Sequence, residues 1–192
     1  MNAILPAFVS RLLQQGHEPG KVPDISQQAT TGWLGPLASR ILNGFDTRSH
    51  QAAGSFSAYG YCHLPIPVAD GQCAYLRLRK EFGWHSWPVL TTSVVLTMAG
   101  TVGLEVYQEV AGALAGQPQY VRSFGPEEVF AVHPGTHCST RSESDNLQVL
   151  VTEQPLQAGR SPLSGDEYRA VAGEARRVLE RLSLAATAGG LQ

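Results

Sequence analysis

The chain opens with apolar residues at Ile4, Leu5, Phe8, Val9, Leu12 and Leu13, the i, i+1, i+4, i+5 stripe of an amphipathic helix that ends near Gly16. A helix with that stripe must dock on another element. His17 to Thr31 is polar, contains two prolines and shows no period, so it predicts a connecting loop. Leu34, Leu37, Ala38, Ile41, Leu42 and Phe45 then repeat the helical spacing, with Gly44 where a left-handed C-terminal cap would sit.

From Gly54 to Thr152 the pattern changes to short β-type runs separated by turn residues at intervals of roughly ten, the spacing of an antiparallel sandwich or barrel. Ser55 to Leu64 predicts one strand, and Ala69-Asp70-Gly71 turns the chain into a second, Gln72 to Lys80. Ser93 to Met98 and Val102 to Val110 flank Ala99-Gly100-Thr101 and predict a hairpin. Glu127 to Val132 and Leu147 to Thr152 complete the strands. Ala111 to Gly116 is rich in small residues and fits either a loop or a helical turn. The last element is a helix over Gly165 to Ser183. Ser164 and Glu167 form a capping box, and Tyr168, Val171, Ala172, Ala175, Val178, Leu179 and Leu182 recur at helical spacing. Its charged residues, Glu174 to Arg181, fall on the opposite face.

With 192 residues the chain is long enough for one core without disulfide or metal staples. Its 14 basic and 16 acidic residues nearly cancel, and no segment gathers Lys and Arg into a stripe, which argues against nucleic acid and anionic membranes as partners. Cys62, Cys73 and Cys138 are an odd number without C-x-x-C spacing, so neither a disulfide framework nor a zinc knuckle is implied. A reducing compartment fits. The amino terminus lacks a basic leader region, and no apolar run approaches the ~20 residues of a membrane span, so a cytoplasmic location is expected.

Candidate chemistry concentrates in Phe130 to Cys138. Pro134-Gly135 suits the centre of a type II turn, which brings His133 and Thr136 within ~7 Å and leaves His133 and His137 close enough to share a ligand or ion. On the strand Cys73 to Lys80, Tyr75, Arg77 and Arg79 share one face and Ala74, Leu76 and Leu78 the other. Two readings stand: a solvated face, or an Arg77 that points inward and grips a substrate carboxylate with its planar fork. Phe82, Trp84 and Trp87 likewise suit either a pocket wall or core packing. Cys138 and His137 are adjacent on a strand and point to opposite faces, which argues against a nucleophile-base dyad.

Two stretches resemble the cupin superfamily. His85-Ser86-Trp87, followed by the Val94-Val95-Leu96 strand and Gly100, is similar to the first cupin motif. Gly125 through Asn146, with Pro134-Gly135-Thr136-His137 and then Leu147 to Val151, is similar to the second. Trp87 stands where the second histidine of the first motif belongs, and Thr91 or Thr92 where many cupins carry a glutamate. Trp has only an N–H donor and cannot ligate a metal. In the second motif His137 or Cys138 falls at the ligand position, depending on the form of the motif.

The resemblance implies a mainly β fold, a cupin-like antiparallel double-sheet β-barrel (54–155) with N-terminal helices (1–53) and a C-terminal helix and tail (156–192). It also implies a pocket inside the barrel, where His85 and His137 face each other. The distant likeness to cysteine dioxygenase-type cupins points to a non-heme iron dioxygenase. In that reading Fe(II) or another divalent transition metal is held by His85, His137 and a third ligand, His133 or Cys138, while Arg77, Tyr75 and Trp87 bind a small polar or carboxylate-bearing substrate. The alternatives are a metal-free cupin that binds or senses a small molecule, or a metal-free isomerase, cyclase or dehydratase with His85 or His137 as general base. The expected partner is a small-molecule substrate, and a homodimer is left open.

Overall fold

The computed structural model describes residues 5–14, 32–45, 54–68, 72–107, 116–142, 146–156 and 159–189. The expected loop at 17–31, the turn at 69–71 and the small-residue stretch at 111–115 lie outside these. Among these residues two helices, α1 (Ala7–Gln14) and α2 (Leu34–Gly44), precede eleven strands, and a long helix, α3 (Gly165–Gly189), follows them. The strands are β1 (Phe56–Ala58), β2 (Tyr61–Ile66), β3 (Cys73–Arg79), β4 (Trp84–Pro88), β5 (Ser93–Ala99), β6 (Val102–Tyr107), β7 (Tyr120–Phe124), β8 (Val129–Val132), β9 (His137–Ser142), β10 (Leu147–Thr152) and β11 (Ser161–Pro162).

They form two antiparallel sheets. The larger runs β11-β1-β2-β3-β10-β5-β8 and the smaller β4-β9-β6-β7. The sheets lie face to face in an arrangement like the cupin jelly roll, and neither closes on itself, so the expected closed barrel is corrected to a two-sheet sandwich.

Strand alternation sorts the larger sheet into two environments. Leu64, Leu76, Leu96, Val149 and their neighbours pack with Val9, Leu12, Leu37, Ile41, Tyr168 and Leu179 of the three helices, so the helices form a third layer over its outer face. The alternate residues Phe56, Tyr75, Val95, Phe130 and Leu150 pack instead against Trp87, Leu104, Val106 and Cys138 of the smaller sheet. The central strands are therefore apolar on both faces, and each fully buried Leu or Ile contributes roughly 1.5–3 kcal/mol.

The capping box of α3 forms as its sequence predicts. Ser164 N donates to Glu167 Oε2 (2.9 Å) and Glu167 N to Ser164 Oγ (3.3 Å). The predicted apolar stripe is turned inward, and α3 crosses α2 so closely that a Cβ at Gly35 would collide with the Ala186 methyl. Gly44 does not take the left-handed conformation expected of it. Instead α2 ends with Phe45 in an extended conformation, its N–H donating to Leu42 O, because the Phe45 ring is drawn into the core.

Two local expectations also change. Ser55 to Leu64 is not one strand but a tight hairpin of β1 and β2, with Ala58 opposite Tyr61. Its two turn residues, Tyr59 (φ 51) and Gly60 (φ 76), both have positive φ, as a type I′ turn requires. β5 and β6, expected to pair across Gly100, do not: β5 pairs with β10 and β8, while β6 pairs with β9 and β7. That turn carries the chain from one sheet to the other.

Candidate functional site

On the inner face of the larger sheet, four polar side chains stand in one row across adjacent strands. His63 of β2 is opposite Arg77 of β3, Arg77 is opposite Gln148 of β10, and Gln148 is opposite Thr97 of β5. All four are buried, with exposures of 1%, 3%, 0% and 0% along the row. Each keeps at least one buried polar atom without a hydrogen-bond partner: His63 Nδ1, Arg77 Nε and Nη2, Gln148 Oε1 and Thr97 Oγ1. Buried polar atoms in folded proteins are normally satisfied, so this contiguous row of exceptions in the inter-sheet core is the candidate site.

Arg77 is the centre of the row. Its guanidinium carbon lies 3.8 Å from the centroid of the Tyr61 ring and 5.5 Å from that of Trp87, and none of the described ion pairs includes it. Burial lowers its pKa, partly offset by Tyr61, and an arginine stays protonated nonetheless. Burial, and then the Arg77 charge, push His63 well below the ordinary histidine value, so its imidazole is neutral at pH 7. The His63 ring is held by stacking on Phe56, with centroids 4.8 Å apart and planes at 5°, and by an edge contact with Tyr75 at 6.0 Å.

A hydroxyl and amide network anchors one side of the row to the smaller sheet. Tyr61 Oη donates to Thr140 Oγ1 (3.2 Å) and lies 2.5 Å from Ser142 Oγ, which accepts from Gln148 Nε2 (3.3 Å). Gln148 Nε2 also donates to Asn146 Oδ1. Burial alone would raise the Tyr61 pKa. The nearby Arg77 charge and the bonds with Ser142 and Thr140 outweigh burial and hold the phenol below its usual value.

Two cavities lie near this row and share part of their lining. An inner chamber of ≈ 10 Å³ is bounded by Tyr61, His63, Arg77 and Trp87, among others. A cleft of ≈ 210 Å³ lies outside it, walled by Trp87, Pro88, Val89, Leu90 and Pro155. Tyr59, Trp87, Ser93 and Leu156 line both, so the two lie side by side.

The histidines singled out from the sequence lie elsewhere. His85 shares the inner side of β4 with Trp87, but its ring is packed over Gly60 at the tip of the β1–β2 hairpin, with Nε2 3.3 Å from Glu81 O. His137 is next to Cys138, which belongs to the inter-sheet core, so His137 projects from the opposite face of β9. In the β4–β9 register His85 pairs with Thr140 and His137 with Pro88, a three-residue offset that sets the two about 10 Å apart along the strands. His133 is buried at the end of β8, where its carbonyl accepts from Thr136 Oγ1 (2.7 Å) across the turn, whose Gly135 has φ 86.

Among the described residues no group of three or more His, Cys, Asp or Glu side chains is placed to hold a metal ion, and the trio His85, His133 and His137 is not brought together. Burial pushes the Cys138 thiol up to about 12, which leaves it a poor thiolate donor. The donor set expected for an Fe(II) centre therefore does not fit this arrangement. Arg77, Tyr75 and Trp87, the expected substrate-binding residues, do share the inter-sheet space. Sequence reasoning passed over His63, Thr97 and Gln148. Their signal was a lone polar residue inside an otherwise apolar strand, as in Leu147-Gln148-Val149 and Cys62-His63-Leu64.

No protein-family model and no curated protein matches the chain. Solved structures with a similar arrangement include a protein of unknown function from Vibrio parahaemolyticus, 12% identical over 51% of this chain and 95% of that one, with a TM-score of 0.39. KdgF from a Halomonas species is 12% identical over 58% of this chain and 90% of that one, with a TM-score of 0.40. A variant of Bacillus subtilis oxalate decarboxylase is 10% identical over 57% of this chain and 30% of that one, with a TM-score of 0.43. At these identities and scores the likeness concerns the arrangement of strands, and no residue role follows from it.

Proposed function

We propose that this protein binds a small organic anion of carboxylate type between its two sheets, with Arg77 as the anchor. One observation carries the reading: a buried guanidinium whose Nε and Nη2 both lack a hydrogen-bond partner. Those two nitrogens are the side-on donor pair of the guanidinium, the edge on which a carboxylate oxygen is received. An unpaired buried charge costs several kcal/mol, more than the ~2 kcal/mol that contacts with aromatic faces return. A bound anion supplies the missing counter-charge.

The dioxygenase expected from the cupin resemblance has less support, because its three histidines do not converge. A binding or sensing role, or chemistry performed by protein side chains alone, agrees better with the row of His63, Arg77, Gln148 and Thr97. Thermal unfolding of wild type and Arg77→Gln, each with formate or acetate, tests the reading. The expected result is a rise in wild-type midpoint with ligand and none in the variant, since a ligand at 100-fold its Kd stabilises by about 2.7 kcal/mol. Equal shifts in both proteins would remove Arg77 from the site. Stoichiometric Fe(II) retention that is lost in His85→Ala would return the oxygenase reading to first place.

A further inference from the structure

We infer that the ligand is a monocarboxylate with an apolar tail, its carboxylate directed to Arg77 and its tail lying in the outer cleft. This rests on the anion-binding reading above and specifies which anion. The inner chamber of ≈ 10 Å³ is about the space of one water-sized group. The leading oxygen of a flat carboxylate fits there. A tetrahedral phosphate or sulfate brings further oxygens for which the chamber has no room.

The cleft is the second half of the argument. Trp87, Pro88, Val89, Leu90, Pro155 and Leu156 supply a continuous apolar side to its wall, opposite the neutral polar groups of Thr91, Ser93 and Gln154, and no charged side chain lines it. Tyr59, Trp87, Ser93 and Leu156 line both spaces, so the tail of a molecule held at Arg77 reaches the cleft past these four side chains. Leu90 is 67% exposed on the cleft wall, an apolar side chain that gains a partner when a tail occupies the cleft.

The Tyr59 ring, at the tip of the β1–β2 hairpin, lies 5.8 Å from that of Trp87, and both residues line the chamber and the cleft, so the tail passes beside an aromatic wall.

Calorimetric titration of the 192-residue chain tests this with phenylacetate, hexanoate, acetate, gluconate, inorganic phosphate and the neutral phenylacetamide. Phenylacetate and hexanoate are expected to bind at least tenfold more tightly than the other four. Leu90→Glu, at an exposed position that leaves folding intact, is expected to weaken phenylacetate several-fold more than acetate. Acetate binding as tightly as phenylacetate, or Arg77-dependent binding of gluconate or phosphate ahead of it, overturns the tail assignment and leaves the anion reading standing. Equal affinity for phenylacetate and phenylacetamide, or no binding by any anion, overturns both without recourse to a variant whose fold is in question.

Discussion

His63 shows how the environment of one residue becomes a property of the whole protein. Its imidazole is stacked between β1 and β3 and beside Arg77, so the folded state resists its protonation while the unfolded chain takes a proton near pH 6.5. The folded pKa is depressed. Stability from this residue is therefore complete above the unfolded pKa and falls as the pH drops below it, because the unfolded state then binds the extra proton. Between pH 7.5 and 5.5 wild type is expected to lose about 1.4 kcal/mol more than His63→Phe, read from urea unfolding at each pH. The Phe variant keeps the stack on Phe56 and cancels all other titrations. Equal losses would mean that His63 accepts its proton inside the folded protein.

The β1–β2 hairpin is the element on which sequence and structure diverge most instructively. Tyr-Gly is a poor signal for a type I′ turn, since Asn or Gly is the usual first residue, and the run Ser55 to Leu64 reads as one continuous strand. The turn forms because β2 pairs with β3, and the hairpin tip rests on β4, where a Cβ at Gly60 would overlap the His85 ring. Gly60→Ala is expected to destabilise by roughly 2 kcal/mol, from the positive φ and the clash together. In a His85→Ala background only the backbone part remains, roughly 1 kcal/mol. Denaturant unfolding of the four proteins in this double-mutant cycle measures the difference. Full additivity would show that His85 does not clamp the hairpin. The same non-local origin explains β5 and β6: an apolar run, a Gly turn and a second apolar run look alike whether the strands pair or part into different sheets.

Across the whole molecule, three helices seal one face of the larger sheet, and the smaller sheet seals the other around a polar row and its cleft. The proposed anion site, assembled from Arg77, His63 and their neighbours, does not use the histidines of the cupin-like motifs. Incubation with a chelator is accordingly expected to leave both the melting temperature and anion binding unchanged, and a fall of several degrees would place a structural metal in the protein. Much of this architecture is legible in the sequence, because it depends on local periodicity. The apolar stripes of α1, α2 and α3, the Ser164–Glu167 cap, the turn at Pro134-Gly135 and the shared face of Tyr75, Arg77 and Arg79 each involve residues a few positions apart. Alternation, however, divides β3 into two faces without saying which is inside, and it separates His137 from Cys138 without saying which faces the core. Those choices depend on what packs against each face. The row of His63, Arg77, Gln148 and Thr97 depends further on register between strands distant in the chain, which pairing energy and core packing set together. Only the tertiary structure decided that a solitary polar residue in each of four strands would meet the others, and that the motif histidines would not meet.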